Sequence, residues 1–251
     1  MTSTDQPRSG SQAVERAIHL LNCFEGDDPE FSLSELAHLA GVPVSSAHRL
    51  AKALVRGRLL EQDPATDRYR VGAGLATLAR PALTRLGIDS AAPHMYALAA
   101  GIKITASLSV IDAGDALTIL QARPPVLFCH HQLPQPRQPL RSSAAGHALL
   151  AYAAVAGDRL PGRSTGPGNR LGPDLDLVRH KGFALAEIPE DDPLRAIAVP
   201  VFGPGRQVWG ALSVQARSAR LTDELVREIL PAMQHFAVRI GSVVQNSSPG
   251  S

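Results

Sequence analysis

Apolar residues recur at helical spacing in three runs over the first sixty positions, and two short alternating runs follow. From residue 11, Val14, Ala17, Ile18, Leu21 and Phe24 share one face of a first helix, which Asp27, Asp28 and Pro29 end. Residues 32–35 read Ser-Leu-Ser-Glu, a capping box: the Ser32 hydroxyl accepts from the Glu35 amide while the Glu35 carboxylate reaches back. Leu33, Leu36, Ala37 and Leu39 then make the buried stripe of a second helix, and Gly41 permits the left-handed turn that closes it. A third helix follows Pro43 and runs to about Arg56. It turns Ala47, Leu50, Ala51, Leu54 and Val55 inward and leaves Ser45, Ser46, His48, Arg49 and Lys52 outward. Residues 59–62 and 68–71 are short strands around a turn-rich tip, a charged hairpin.

Beyond Gly72 the pattern is helical through Leu75, Leu78 and Ala79, with Pro81 as a kink or restart, and another helix covers about 90–100. The domain boundary is placed near residue 80. Strands at 104–111 and 116–122 flank the hairpin signal Asp112-Ala113-Gly114-Asp115, and 127–132 adds a further strand. Residues 144–156 form an apolar helix, 157–173 a Gly- and Pro-rich loop, and 174–181 a short helix. Strands near 183–187, 195–202 and 208–216 follow. Thr222 caps a terminal helix striped by Leu225, Ile229, Met233, Phe236 and Ile240. The fold class is α+β, built on a mostly antiparallel sheet.

Composition narrows the class without naming it. A chain of 251 residues holds one large domain or two modest ones. The net charge of +2 is too small to mark a nucleic-acid binder by itself, so any basic surface is local. Two cysteines, Cys23 and Cys129, argue against a disulfide framework or a zinc site. The first twelve residues lack the apolar segment of a signal peptide, and no apolar run is long enough to cross a bilayer. The expectation is a reduced, cytoplasmic protein without membrane partners.

Local chemistry points to DNA. Between Val42 and Leu60 every charged residue is basic: Arg49, Lys52, Arg56 and Arg58. Ser45, Ser46 and His48 stand near the N-terminal end of the third helix, the end that a recognition helix presents to base edges. His48 suits a phosphate as well as a base. Arg68 and Arg70 alternate with Tyr69 on the wing, and both are expected to face a phosphate strand or minor groove. Ser34 and Pro43, at the starts of the second and third helices, complete the expected interface. A helical domain with a merely solvated polar face would share this shape, so the motif alone leaves that alternative open.

Enzyme signals are sparse. Cys129-His130-His131 resembles a ligand cluster, but consecutive strand residues point to opposite faces and no second pair completes a metal site. Ser142-Ser143 lacks a hydrolase nucleophile elbow. Glu190, Asp191 and Asp192 lie between Pro189 and Pro193 in what reads as a solvated loop. Neither a catalytic set, a cofactor nor a metal is expected.

The stretch AVERAIHLLNCF, with LSELAHLAGVPVSSAHRLAKALVRGRLLEQDPATDRYRVG after it, resembles the N-terminal domain of the IclR family of bacterial transcriptional regulators. RSSAAGHALLAY, HKGFALAEIPEDDPLRAIAVPVF and GALSVQARSARLT are similar to the C-terminal half of that family. The resemblance implies a winged helix-turn-helix over 11–72, a linker helix over 73–88 and a GAF-like effector-binding domain over 89–245, between tails at 1–10 and 246–251. It also implies a homodimer or dimer of dimers on palindromic double-stranded operator DNA, with affinity set by a small organic or aromatic acid.

Carried over residue by residue, the resemblance puts the effector pocket at Leu127, Ala144, Ala145, Ala186, Leu194, Ala196, Ser213 and Gln215. Many relatives have an acid at the Ala186 position, a cysteine at that of Ala196 and a second serine at that of Gln215. Arg141, Ser142 and Ser143, at a helix start, are the remaining candidates to hold an anion. These departures imply a ligand less polar than a simple keto acid, or a pocket that no longer responds. Val44 stands where relatives commonly carry Lys or Arg, which removes one phosphate contact. Two alternatives stay open: a sensor or enzyme whose helical domain docks proteins, and a constitutive DNA binder.

Overall fold

The computed structural model describes residues 9–26, 28, 30–124, 133–153 and 171–246. The chain divides into two compact units, Met1–Ala82 and Leu83–Ser251. In the first, the capping and turn signals set the elements: α1 (Ser9–Asn22), β1 (Glu30–Phe31), α2 (Leu33–Leu39), α3 (Val44–Arg56), β2 (Leu60–Gln62), β3 (Tyr69–Val71) and the start of α4 (Ala73–Arg85). Ser32 caps α2 with both halves of the capping box in place. Gly41 has φ of +63°, a left-handed conformation that a side chain would oppose. β2 and β3 pair antiparallel as the wing, and β1 adds to the outer side of β3.

Leu20, Phe31, Leu36, Ala37, Ala47, Ala51, Leu54, Leu60 and Tyr69 form the core of this unit. Three residues expected in its stripes lie outside it: Val14 is 60% exposed, Ile18 49% and Leu39 56%. So small a core covers only part of each helix surface. In α2, Leu36 and Ala37 take the buried face and Leu39 is left out. β1 was not expected either, since two residues carry no periodicity to read. The fourth helix passes through Pro81 without a restart. No residue of α4 is buried, so water can take up the carbonyl that proline leaves unbonded.

The second unit contains α5 (Ile88–Ile102), β4 (Ala106–Asp112), β5 (Asp115–Ala122), β6 (Arg137–Pro139), α6 (Ala144–Ala153), α7 (Leu171–Lys181), β7 (Ala184–Ile188), β8 (Leu194–Phe202), β9 (Val208–Arg217) and α8 (Asp223–Asn246). Its strands form an antiparallel sheet in the order β6-β5-β4-β9-β8-β7. Ala113 and Gly114, both at positive φ, close the β4–β5 hairpin. The Thr222 hydroxyl accepts from the Leu225 amide and so caps α8.

Alternation along the strands sorts the sheet into two unlike faces. Leu108, Ile197, Val199, Leu212 and Val214 pack against Met95 and Leu98 of α5 and Ile229, Met233 and Ile240 of α8. The other face carries Ala184, Ala196, Ala198 and Ala211 beneath Ala144, Ala145, Ala148 and Leu149 of α6. Small side chains bring α6 close. A Cβ on Gly146 would lie 2.3 Å from the Leu140 carbonyl oxygen, so that helix can start where it does only with glycine there. Residues 171–173, expected in a loop, are already helical, which lengthens α7 at its start. β6 was not foreseen. The strand expected at 127–132 and the cluster Cys129-His130-His131 lie outside the described residues, as does most of the loop expected at 157–173.

Candidate DNA interface and ligand site

Alternate sides of α3 do different work. Ala47, Ala51 and Leu54 are buried, and Ser45, His48, Arg49 and Lys52 are exposed with Ser46 partly so. Pro43, before the helix, is also exposed. The side chains of Arg49, Lys52 and Arg56 take part in no hydrogen bond or ion pair among the described residues. No acidic residue lies in the first turn. Arg49 and Ser46 border a cleft of about 230 Å³ together with Arg16 of α1. Arg16 was missed because nothing in one helix's spacing tells which cation of another helix stands beside it.

The wing arginines are engaged differently. Tyr69 is 2% exposed, so its neighbours Arg68 and Arg70 point away from the core. Arg68 Nη2 donates to the Glu30 carbonyl and to Glu35 Oε2, each at 3.0 Å. The same Glu35 oxygen accepts from the Ser32 amide at 2.7 Å. That amide, then the Ser32 side chain and Arg68, hold the Glu35 carboxyl below the usual carboxylate range. Arg70 Nε lies 3.3 Å from Glu61 Oε2, and its Nη1 lies 3.9 Å from Asp63 Oδ2. The Ala73 amide and then Arg70 lower the Glu61 carboxyl in the same way. Ser34, exposed on α2, has its Oγ 3.2 Å from that of Ser32.

In the second unit, the expected ligand residues gather on the alanine-rich face of the sheet. Ala186, Ala196 and Gln215 are cross-strand partners on β7, β8 and β9, and Ala198, Ser213 and Ser107 are partners on β8, β9 and β4. Ala144 and Ala145 begin α6 above them, and Leu194 is buried at the start of β8. Leu127 lies outside the described residues.

Burial makes the polar members of this face conspicuous. The buried polar residues of the described chain are Thr105, Ser107, Ser109, Ser213 and Gln215, and none is ionisable. Thr105 precedes β4, and Ser109 shares a 3.3 Å hydrogen bond with Thr118. Ser107, Ser213 and Gln215 are 1%, 5% and 6% exposed, and their side chains have no hydrogen-bond partner among the described residues. The Ser107 hydroxyl is also shut off from solvent. Buried polar groups are nearly always paired, so three unpaired ones on one face mark a place for something else to bind. Ser107 was missed because its relation to Ser213 exists only through the β4–β9 register.

The α6 start offers less to an anion than its sequence suggests. Ser143 Oγ accepts from the Gly146 amide at 3.0 Å and donates to the Pro139 carbonyl at 2.8 Å, so it is committed to the cap. Arg141 and Ser142 are exposed. A cleft of about 630 Å³ lies elsewhere, bordered by Tyr152, Phe202, Gln234 and Val238, and none of the expected ligand residues reaches it. It holds no buried unpaired polar group, so the alanine-rich face is the better candidate. The carboxylates Glu190, Asp191 and Asp192 are exposed, with Asp192 2.7 Å from Arg217.

Residues 13–64 match the profile of the IclR helix-turn-helix domain, and residues 164–242 match that of the bacterial transcriptional regulator IclR C-terminal domain. A glycerol operon regulatory protein of Streptomyces griseus is 29% identical over 230 residues, covering 84% of this chain and 86% of that protein. The regulator KdgR of Escherichia coli is 27% identical over 245 residues, with 93% and 92% covered. Among solved structures, an IclR transcriptional regulator from Alicyclobacillus acidocaldarius superposes with a TM-score of 0.72 at 24% identity, covering 95% and 99% of the two chains. An IclR homologue from Microbacterium hydrocarbonoxydans, complexed with 4-hydroxybenzoate, does so with 0.73 at 23%, covering 93% and 99%.

Proposed function

This chain belongs to the IclR family of bacterial transcriptional regulators, and from that premise we propose that it binds operator DNA with an affinity set by a small molecule in its second unit. Its relatives are regulators and not enzymes. The observation that carries the reading is the outer side of α3, where Arg49 and Lys52 are exposed and unpaired beside Ser45, Ser46 and His48. Such a helix enters the major groove, with short polar groups at base edges and cations at phosphates. Arg68 and Arg70 join from the wing, and Ser34 and Pro43 from the helix starts. The protein acts as a homodimer or dimer of dimers on a palindromic site in the cytoplasm.

The effector, an organic or aromatic molecule, occupies the face formed by Ala144, Ala145, Ala186, Leu194, Ala196, Ser213 and Gln215. The helix start at Arg141, Ser142 and Ser143 stands at its border, and Leu127 is kept in the set from the family resemblance alone. Regulation follows if the ligand prefers one dimer arrangement over another, since equal affinity for both would shift nothing. No helix among the described residues is long and apolar enough to cross a membrane.

The test is a gel shift of the full chain with the DNA upstream of its own gene, across a salt series. Salt-sensitive binding is expected. Arg49→Ala should weaken it and lower the slope of log K against log salt by about one, with the oligomer unchanged by sedimentation. Binding that ignores both salt and Arg49 would return the helical unit to a protein-docking role.

A further inference from the structure

We propose that Ser107 is a third polar contact of the ligand site beside Ser213 and Gln215, and that the three together receive an uncharged hydrogen-bonding group rather than a carboxylate. The proposal rests on reading the second unit as effector-binding and adds the chemistry of what it binds. Three observations carry it. Ser107 and Ser213 are direct antiparallel partners, so their side chains leave the sheet on one face about 5 Å apart at Cβ. Gln215 follows two residues after Ser213 on that face.

All three are buried with no side-chain partner among the described residues, and the Ser107 hydroxyl is shut off from solvent. An orphan hydroxyl costs stability, and a ligand group that both donates and accepts would recover the loss. A phenolic or alcoholic hydroxyl, or an amide, meets two serines and a glutamine with both roles matched. Charge decides against the carboxylate. None of the buried polar residues of this sheet is ionisable, and an anion moved onto this face would lose its hydration with no buried cation among the described residues to replace it.

Calorimetric titration of the full chain with benzyl alcohol and with benzoate compares a hydroxyl with a carboxylate as the ring's one polar group. The alcohol is expected to bind at least tenfold more tightly, and Ser107→Ala to weaken it about tenfold. The same substitution removes an unpaired buried hydroxyl from the free protein, so its melting temperature should rise by about 2–4 °C. A serine with only a structural role would not improve stability while impairing binding. Tighter binding of the benzoate, binding of neither probe, or a lower melting temperature in Ser107→Ala overturns the proposal. Operator binding, followed in parallel, separates the outcomes. Its loss counts against the regulator reading, whereas its retention with either failure above counts only against this assignment.

Discussion

Val44 shows how much one side chain on a recognition surface can decide. It opens α3, is 54% exposed, and therefore gains little from burial where it stands. The family resemblance implies a cation at this position, and the neighbouring cations with unpaired side chains are Arg49 and Lys52. Val44→Lys should therefore tighten operator binding and steepen its salt slope by about one, with no change in melting temperature beyond a degree or two. A flat slope would mean that the first turn of α3 does not approach a phosphate. Arg68 presents the opposite case. Its identity as a wing cation is plain in the sequence, but its links to Glu30 and Glu35 join residues more than thirty positions apart. Through them the wing is tied to the start of α2, which spacing along the chain cannot disclose.

At the scale of elements, local signals were legible and thin ones were not. The capping box at Ser32 and the turn at Gly41 bracket α2 because backbone amides and positive φ impose strict demands on single residues. Removing the cap by Ser32→Ala should destabilise the first unit by about 1 kcal/mol, read from urea unfolding. Around it, Glu35, Glu61 and Asp63 are all held below the usual carboxylate range, by backbone amides first, with the Ser32 side chain at Glu35 and arginines at all three adding to the effect. A lowered folded-state value means that their contribution is complete above the unfolded-chain value and fades as pH falls through the folded one. The urea midpoint of the first unit should thus stay level from pH 7 to about 5 and drop below about 4, and Glu35→Gln should flatten that drop. β1 and β6, by contrast, are two and three residues long and owe their existence to neighbouring strands. Val14, Ile18 and Leu39 obey helical spacing and still lie at the surface, because a stripe records a preference for burial and not the extent of the core.

For the whole molecule, regulation requires that the two units share a free energy. Linkage makes the requirement measurable: the factor by which a bound ligand changes operator affinity must equal the factor by which operator DNA changes ligand affinity. Matching factors, obtained from titrations with and without the partner, are expected to exceed five. A factor of one in both directions would make the chain a constitutive DNA binder.

By itself the sequence determined the class of the protein. Helical period, one capping box, one turn glycine and a run of purely basic residues describe a winged helix-turn-helix, since each of these acts between near neighbours. Through resemblance it also implied a shared pocket for Ser213, Gln215, Ala186 and Ala196. Only tertiary structure decided that Ser107 faces Ser213, that Ser143 is spent on a cap, and that the cations of the wing are paired while those of α3 are free. Strand register and burial produce those facts. They act between residues far apart in the chain, where neither period nor composition carries information.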